Sequence, residues 1–428
     1  MDYPQTLEFL YNRLPMFQRV GAQAFKKDLT NTLKLCEALD SPQRKFRSVH
    51  VAGTNGKGSV SHSLAAIFQQ AGYKTGLYTS PHLVDFRERI RVDGQMIPEP
   101  VVVEFVKRML PAIEELKPSF FEMTVALAFD FFAQQQVDIA IVETGMGGKF
   151  DSTNVITPEL SVITNISMDH QQFLGNTEAE IAGEKAGIIK SKVPVVIGRA
   201  QRETKPVFRA KAAEMEASIH FAEKHYQLET ESNDLHQQVL QVRKSGIFQK
   251  SLKTDLTGEY QVENLATVLT AVEVLKKLGF NLSEEHVEQA MANVKSKTGL
   301  RGRFEILQEK PMAVCDVAHN KAGLEKVLQQ VSTLSFRKLH FVLGMVSDKD
   351  IASVLSILPA DARYYFCKPD LPRGLSADVL AERASAAELR GEVFASVVEA
   401  YHQALINAAE EDLVLVSGSA FVVAEVLQ

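Results

Sequence analysis

A buried strand that leads through a glycine-rich turn into a helix constrains the fold of this chain more than any other feature. Residues 48–52 form a short apolar run typical of a buried strand, and residues 60–71 have helical spacing before Gly72. The turn between them reads Gly53-Thr54-Asn55-Gly56-Lys57-Gly58-Ser59. Such a turn at a helix N-terminus presents backbone amides and a lysine to an anion. The sequence therefore predicts an α/β domain with a phosphate-binding loop.

The spelling of this loop differs from the usual phosphate-binding pattern G-x-x-x-x-G-K-[ST]. Only two residues separate Gly53 from Gly56, and Gly58 stands between Lys57 and Ser59. An ordinary strand-to-helix turn with incidental glycines is the alternative interpretation. The density of glycines, hydroxyls and lysine directly after a buried strand favours phosphate binding over that alternative.

Strand-like and helix-like segments alternate along the chain, which is typical of crossover units on a parallel sheet. The first part has further predicted strands at 74–79, 137–143, 160–165 and 193–198, and predicted helices at 5–14, 28–39, 99–116, 121–135, 176–188 and 260–278. The more polar residues 218–257 predict a small antiparallel extension.

A basic, glycine-containing stretch at 295–302 predicts a boundary between two domains, which we place at 1–297 and 298–428. The second domain is again predicted to be α/β. Its strands are predicted at 311–316, 338–344, 362–367 and 412–417, and its helices at 321–331, 348–357, 376–388, 394–408 and 419–427.

Polar side chains follow several predicted strands of the first domain, at the sheet edge where α/β proteins bind ligands. Glu143 is interpreted as a Mg²⁺ ligand, with a helix cap or a surface carboxylate as the alternative. His170 is a candidate metal ligand or a hydrogen-bonded structural histidine. Lys185 lies on a helix rich in small residues, and it either faces the site or forms a weak surface ion pair.

The second domain repeats this arrangement after its first predicted strand. Asp316 and His319 are candidates for binding a ribose or a second substrate there. The alternative for Asp316 is that it caps the following helix.

The composition excludes several classes of protein. The net charge is −6 and basic residues are scattered, so a nucleic-acid partner is not expected. The three cysteines are far apart, which excludes a CxxC metal site and favours a reducing compartment. The residues after Met1 lack the apolar run of a secretory signal, and no segment reaches the roughly 18 apolar residues of a membrane span. We expect a cytoplasmic protein with no membrane partner.

Taken together, these segments resemble folylpolyglutamate synthase and bifunctional dihydrofolate synthase of the Mur ligase family. The resemblance covers nearly the whole chain, through GTNGKGS at 53–59, TSPHL at 79–83, ERIR at 88–91, ETGMGGKFDSTN at 143–154, residues 163–190, EN at 263–264, GRF at 302–304 and DVAHN at 316–320. It implies a P-loop ATPase domain with a parallel-rich sheet, followed by a smaller Rossmann-like α/β domain. The family's active-site cleft lies between the two.

The resemblance also implies an ATP-dependent acid–amino-acid ligase of folate biosynthesis and one-carbon metabolism. In the implied reaction, ATP phosphorylates the carboxylate of dihydropteroate or of a folyl glutamate tail. The amino group of L-glutamate then attacks the acyl phosphate. The implied cofactor is Mg²⁺, as two ions, and the implied partners are ATP, L-glutamate and dihydropteroate or tetrahydrofolate. A monomer is expected.

The same resemblance implies roles for individual residues. The catalytic residues would be Lys57, His170 and Lys185, with Lys185 carbamylated so that it becomes an anionic metal ligand. ATP would contact Thr54, Asn55, Gly56, Lys57, Gly58, Ser59, Asn264, Arg303 and Asp316. The metal ligands would be Ser59, Ser80, Glu143 and His170. The folate substrate would contact Phe121, Glu122, Thr124, Phe150, Asp151 and Ser152, together with residues near 21–25. Glutamate would lie near His319 and Ser419.

One departure from the family pattern affects substrate preference. Lys149-Phe150 stands where Arg-Leu is common, and lysine lacks the planar fork of arginine for bidentate carboxylate recognition.

Two other functions compete with this interpretation. A ligase that adds amino acids to a UDP-linked cell-wall precursor predicts a separate N-terminal domain, for which the residues before Gly53 leave little room. A non-catalytic nucleotide-binding regulator on the same fold is the other, since a fold does not determine a function.

Overall fold

A computed structural model describes residues 1–16 and 27–428 of the chain. The chain divides into two compact units. The first comprises Met1–His82, Phe86–Leu256 and Gln261–Leu300, and the second comprises Leu83–Asp85, Thr257–Tyr260 and Arg301–Gln428. Residues 21–25, which the family resemblance connects with the folate substrate, lie outside the described residues.

The main sheet of the first unit is predominantly parallel, as predicted. Its strands are β1 (Arg47–Ala52), β2 (Thr75–Tyr78), β3 (Ile90–Val92), β4 (Gln95–Met96), β5 (Ile139–Glu143), β6 (Leu160–Ile163), β7 (Val195–Ile197) and β8 (Ile219–Phe221). They are ordered β4-β3-β2-β5-β1-β6-β7-β8. Only the pairings of β3, with β2 and with β4, are antiparallel among these described strands.

Helices of the first unit cover this sheet and connect its strands. They are α1 (Tyr3–Arg13), α2 (Thr30–Ala38), α3 (Lys57–Gln70), α4 (Glu99–Leu116), α5 (Phe120–Gln135), α6 (Gln171–Leu174), α7 (Glu178–Ala186), α8 (Lys205–Glu214), α9 (Ala222–His225), α10 (Gln261–Lys277), α11 (Glu284–Met291) and α12 (Val294–Thr298). Capping boxes fix the starts of α5 and α7: Ser119 pairs with Glu122, and Thr177 pairs with Glu180.

The polar segment before α10 forms a separate three-stranded antiparallel sheet, which confirms the predicted extension. Its strands are β9 (Tyr226–Asn233), β10 (Gln238–Lys244) and β11 (Ile247–Thr254), with β10 in the centre.

The side chains of β1 alternate between the two faces of the main sheet, and this alternation positions part of the site. Val49 and Val51 point into an apolar layer shared with α3 and α10. On the opposite face, Ala52 packs in a cluster with α7 and β7. Because successive side chains of a strand face opposite ways, His50 lies on the same face as Ala52 and is fully buried there.

The second unit is a smaller α/β layer structure around a six-stranded sheet. Its strands are β12 (Glu305–Glu309), β13 (Met312–Cys315), β14 (Leu339–Leu343), β15 (Arg363–Phe366), β16 (Gly391–Val393) and β17 (Leu413–Ser417), ordered β12-β13-β17-β14-β15-β16. Its helices are α13 (Lys321–Val331), α14 (Ile351–Leu355), α15 (Ala377–Ala386), α16 (Val397–Asn407) and α17 (Ala420–Val426). Only β12 pairs antiparallel among these described strands. The predicted parallel-rich α/β character of both units is confirmed.

Candidate active site

The carboxyl ends of four neighbouring strands bring the predicted site segments to one edge of the main sheet. Strand β1 lies between β5 and β6, with Val51 opposite Glu143 and Ala52 opposite Ile163. Tyr78 at the end of β2 is in register with Val142. The loops that begin after these strands therefore start side by side. A parallel sheet binds ligands where its strand order reverses, and here that point is the end of β1.

The glycine-rich turn at this edge is held by the segment that follows β6. Thr164 Oγ1 donates to the Asn55 carbonyl at 2.6 Å, and the Asn55 amide donates to Asn165 Oδ1 at 3.0 Å. A Cβ atom at Gly53 would lie 1.9 Å from Thr164 Oγ1, so only glycine fits this close approach. These two hydrogen bonds and the close approach hold the turn in this conformation.

Two lysines share one acceptor in this turn. Lys185 Nζ donates to the Gly53 carbonyl at 2.8 Å, and Lys57 Nζ donates to the same oxygen at 3.1 Å. Lys185 is buried, so the interpretation of this residue as a surface lysine is wrong. Burial, and then the charge of Lys57, lower the pKa of Lys185 from 10.5 to about 7. Charged and uncharged forms of this amine therefore coexist near neutral pH.

A hydrogen-bonded pair on α10 supports the helix that follows the turn. Gln261 Nε2 donates to Ser59 Oγ at 3.2 Å, and Asn264 Nδ2 donates to Gln261 Oε1 at 2.8 Å. Asn264 also abuts the turn itself, since a Cβ at Gly56 would lie 2.1 Å from Asn264 Oδ1. Gly56 has φ +84°, a conformation that glycine adopts without strain.

The glycine-rich loop after β5 packs between α5 and α7. A Cβ at Gly145 would lie 2.4 Å from the Phe121 ring. A Cβ at Gly148 would lie 2.9 Å from the carbonyl oxygens of Glu184 and Lys185. The backbone of this loop therefore contacts a predicted folate residue on one side and the helix that carries Lys185 on the other.

Asp151 closes this loop through hydrogen bonds to both of its carboxylate oxygens. Oδ2 accepts from the Met146 amide at 2.8 Å, and Oδ1 accepts from the amide and hydroxyl of Thr153 at 3.0 and 2.5 Å. Asp151 is 3% exposed, and burial raises the pKa of its carboxyl group while the hydrogen bonds oppose that shift. Ser152, which follows it, is also buried.

The other predicted folate residues surround this loop with different exposure. Glu122 Oε2 accepts from the Ser119 amide at 2.6 Å and from Asn31 Nδ2 at 3.4 Å. Thr124 is buried. Phe150 is partly exposed, and the Lys149 ammonium lies 5.1 Å from the centre of its ring.

Three of the four predicted metal ligands lie at or after the ends of strands of the same edge, and the fourth, Ser59, lies in α3. Glu143 is the last residue of β5 and is 4% exposed, whereas Ser80 lies two residues beyond β2. His170 has φ +50° immediately before α6, and its Nε2 atom lies 3.9 Å from Asp169 Oδ2. Among residues 1–16 and 27–428, no three His, Cys, Asp or Glu side chains form a metal-binding group. A carboxylate with hydroxyls suits Mg²⁺, which usually takes few protein ligands and relies on phosphates and water.

The polar residues of the second unit are engaged within that unit. Asp316 Oδ2 accepts from the Tyr260 hydroxyl at 2.6 Å and from the Phe304 amide at 2.9 Å, and Oδ1 accepts from the Ala318 amide at 2.9 Å. Asn320, and not Asp316, caps the following helix α13. Burial raises the pKa of Asp316, and the nearby charge of Arg303 opposes that effect.

The two residues predicted to bind glutamate are His319 and Ser419. They lie near the ends of neighbouring strands of the second unit. Ser419 caps α17 by accepting from the Phe421 amide at 3.1 Å, and it is 2% exposed. In His319, the ring atom Nδ1 lies 3.1 Å from the Val317 carbonyl oxygen.

Sequence reasoning did not single out Gln261, His50 or Thr153. His50 Nε2 lies 2.8 Å from Thr153 Oγ1, although 103 residues separate the two along the chain. A polar residue inside an otherwise apolar strand is the signal that would have drawn attention to His50. Gln261 carries the comparable signal of an amide at the start of an apolar helix.

Comparison with known proteins finds family matches in both parts of the chain. Residues 51–272 match the family described as the Mur ligase middle domain, and residues 302–420 match the Mur ligase glutamate ligase domain. No helix in the described parts of the chain combines the length and apolar character needed to cross a membrane.

Individual relatives match over most of their length. The folylpolyglutamate synthase of Lacticaseibacillus casei is 33% identical, with 88% of this chain and 87% of the relative covered. The dihydrofolate synthase/folylpolyglutamate synthase of Bacillus subtilis is 34% identical, with 87% and 86% covered. The structure of E. coli FolC in complex with DHPP and ADP has a TM-score of 0.87 at 31% identity, with 100% of this chain and 97% of that chain covered.

The two-unit fold, the glycine-rich turn and these matches show that the chain belongs to the Mur ligase family. Within that family it belongs to the folylpolyglutamate and dihydrofolate synthases, the relatives that it matches over most of its length.

Proposed function

We propose that this protein uses ATP to join L-glutamate to dihydropteroate, to a folyl-(poly)glutamate, or to both, as a step of folate biosynthesis. The observation that carries the proposal is the convergence of Lys57 and Lys185 on the Gly53 carbonyl, next to the loop that contacts Phe121. In this proposal the two lysines form a cationic phosphate site, and the surface around Phe121 receives the acceptor. Membership of the folylpolyglutamate and dihydrofolate synthase family supports the choice of substrates.

The proposed reaction has two steps. A carboxylate oxygen of the acceptor attacks the γ-phosphorus of ATP, ADP leaves, and an acyl phosphate forms. The neutral amino group of L-glutamate then attacks the acyl carbon, inorganic phosphate leaves with the carbon–oxygen bond electrons, and the new amide nitrogen loses a proton. Lys57 and the amides of residues 54–59 would stabilise the charge on the transferring phosphoryl group.

We propose that Lys185 is carbamylated in the active protein. The neutral amine attacks carbon dioxide, and a proton is released as the N-carboxylate forms. A pKa of about 7 supports this, since the uncharged amine is the reactive form. The modification would also replace a repulsion between Lys185 and Lys57 by an attraction.

We propose Mg²⁺, as two ions, held by Ser59, Ser80, Glu143, His170 and the Lys185 carbamate together with ATP phosphates. The ions would neutralise phosphate charge during transfer. Asn264, Arg303 and Asp316 are proposed to bind ATP, and His319 and Ser419 to bind glutamate.

The folate substrate is proposed to contact Phe121, Glu122, Thr124, Phe150, Asp151 and Ser152. Asp151 and Glu122 already accept hydrogen bonds from their own surroundings, so they would have to contact the substrate in addition to keeping these bonds.

We further propose that residues 1–297 act as the ATPase domain and residues 298–428 as the ligase domain, in a cytoplasmic monomer.

The test measures phosphate release from ATP with purified protein and dihydropteroate or tetrahydrofolate, each with and without L-glutamate. Glutamate-dependent release, together with a product heavier by one glutamyl residue, is expected. L-aspartate in place of L-glutamate is the matched control. Absence of glutamate-dependent release with both acceptors refutes the proposal. Turnover only with a UDP-linked cell-wall precursor would favour the other ligase class, and ATP binding without turnover would favour the regulator.

A further inference from the structure

A buried chain of hydrogen bonds connects the central strand β1 to the glycine-rich loop after β5. His50 Nε2 lies 2.8 Å from Thr153 Oγ1, which donates to Asp151 Oδ1 at 2.5 Å. The Thr153 hydroxyl has one hydrogen and gives it to the carboxylate, so the bond from His50 must be donated by Nε2–H. Asp151 is in turn joined to the glycine-rich loop, because its Oδ2 atom accepts from the Met146 amide.

The residues joined by these hydrogen bonds are shielded from solvent. His50 and Thr153 are 0% exposed and Asp151 is 3% exposed. Burial, and then the charge of Lys190, lower the pKa of His50 to about 3, so its ring is neutral at physiological pH. The other ring nitrogen, Nδ1, has no hydrogen-bond partner within the described part of the chain. The bond to Thr153 is therefore the polar contact that fixes the orientation of this ring.

The loop at the end of this chain forms two walls of the proposed site. At Gly145 its backbone lies against the Phe121 ring, a proposed contact of the acceptor. At Lys149 its amide donates to the Glu184 carbonyl at 2.8 Å, on the helix that carries Lys185. A displacement of Asp151 would move the first wall most directly, because Met146 adjoins Gly145.

We propose that Thr153 and His50 are positioning residues for binding of the folate-type acceptor. They hold the Asp151 carboxylate, and through it the loop 145–148, in the position that fits the acceptor. This inference rests on the proposed function. The structure gives Thr153 and His50 no place on the site surface, so their effect must pass through Asp151.

The first experiment compares Thr153→Val with Thr153→Ser. Valine keeps the shape of threonine and removes the hydroxyl, whereas serine keeps the hydroxyl and removes a methyl group. Loss of a buried hydrogen bond to a charged group predicts about a tenfold higher KM for the acceptor in Thr153→Val. The KM for ATP should stay near the wild-type value, and Thr153→Ser should restore acceptor binding.

Thr270→Val is the matched control for this substitution. Thr270 is also buried in the first unit, and its hydroxyl donates to the Ala266 carbonyl within α10. It should change the unfolding temperature without changing the ratio of the two KM values. A Thr153→Val enzyme with an unchanged acceptor KM, or with acceptor and ATP KM raised equally, overturns the inference.

A double-mutant cycle with His50→Leu tests the chain from its other end. His50→Leu removes the donor to Thr153 and leaves the bond between Thr153 and Asp151 in place. If the residues act in series, the acceptor KM of the double variant should rise less than the product of the two single effects. Multiplicative effects contradict a connected chain.

This cycle also protects the test against a folding failure. If Thr153→Val does not fold, a comparison of His50→Leu with His50→Gln decides the same question. The amide of glutamine keeps a donor, so the acceptor KM should rise more in His50→Leu than in His50→Gln. If wild-type protein shows no glutamate-dependent turnover, it is the proposed function that fails. An active wild-type enzyme with unaffected variants rejects only the positioning roles.

Discussion

The two units both place polar side chains after buried parallel strands. The contacts that these side chains make differ between the units. In the second unit, both oxygens of Asp316 accept hydrogen bonds from neighbouring groups, and Ser419 caps a helix. In the first unit, two lysines compete for the Gly53 carbonyl, and burial lowers the pKa of one of them. These polar residues of the second unit stabilise their own surroundings, whereas the lysine pair of the first unit brings two like charges together.

This difference indicates where ligand charge is needed. Like charges at close range cost stability, and proteins retain such arrangements where a ligand of opposite charge binds. The lysine pair therefore supports our proposal that phosphate chemistry takes place in the first unit. The following substitutions test the contrast, in order of decreasing expected effect.

Lys57→Ala should produce the largest loss. Removal of one positioned donor to a transferring phosphoryl group typically costs about 10²–10³-fold in kcat. The measurement is glutamate-dependent phosphate release, with circular dichroism to confirm that the protein is folded. Lys192→Ala, at an exposed lysine of the same unit, is the control and should retain turnover. Near-normal kcat in Lys57→Ala would remove this residue from the phosphate site.

Gly56→Ala should impair both ATP binding and stability. The new Cβ would lie 2.1 Å from Asn264 Oδ1 in a residue with φ +84°. Gly72→Ala is the matched control, because Gly72 has φ +85° with no atom near its Cβ position. Backbone strain alone predicts a loss of about 1–2 kcal/mol in the free energy of unfolding for the control. A larger loss and a raised KM for ATP are expected only in Gly56→Ala, and equal effects in both would contradict the tight fit against Asn264.

Lys185→Met should stabilise the unmodified protein at neutral pH while abolishing turnover. The folded pKa of about 7 lies below the unfolded value of 10.5, so the unfolded chain binds more protons between these values. Wild-type stability should therefore increase as the pH rises above 7. The advantage of Lys185→Met in thermal unfolding, measured without carbon dioxide, should be greatest at and below pH 7 and smaller at pH 9.5. If the difference in unfolding temperature between the two proteins does not change with pH, the pKa of Lys185 is not lowered in the folded protein.

Ser419→Ala and Ser419→Gly should give the smallest changes. Loss of a helix N-cap costs about 1 kcal/mol of unfolding free energy with alanine and a few tenths with glycine. The glycine variant therefore separates the cap from the proposed glutamate contact. If Ser419 binds glutamate, the KM for glutamate should rise in both variants. A KM equal to that of the wild type in the glycine variant would leave Ser419 with a capping role alone.

The strands and helices of the sheet interiors were predictable because apolar runs bounded by turn residues specify them. The predicted strand at 412–417 is observed as Leu413–Ser417, and the predicted helix at 321–331 has the same bounds. Short edge strands such as Gln95–Met96 were missed. An edge strand pairs on one side only, so it needs no continuous apolar run. The helix Glu284–Met291 was also missed, since only part of one face is apolar.

The position of the site was predictable, but most of its internal contacts were not. The carboxyl ends of parallel strands must meet at one edge, which predicted that the loop at Gly53 and the candidates Glu143 and His170 belong to one site. The bond between Gln261 and Ser59 joins residues 202 positions apart, and spacing carries no information about such a pair. The burial of Lys185 was only suggested by small neighbours such as Gly187, where a Cβ would lie 2.4 Å from the Lys149 backbone.

The contact between Gly148 and the end of α7 is made by main-chain atoms on both sides. Glycine is required at this point, and the next residue, Lys149, contacts α7 through its backbone amide, which donates to the Glu184 carbonyl at 2.8 Å. Exchange of the Lys149 side chain for that of arginine, or of the Phe150 side chain for that of leucine, should therefore leave this main-chain contact intact. We therefore expect substitutions at 149 and 150 to change acceptor preference, and substitutions at Gly148 to disturb the helix end that carries Lys185.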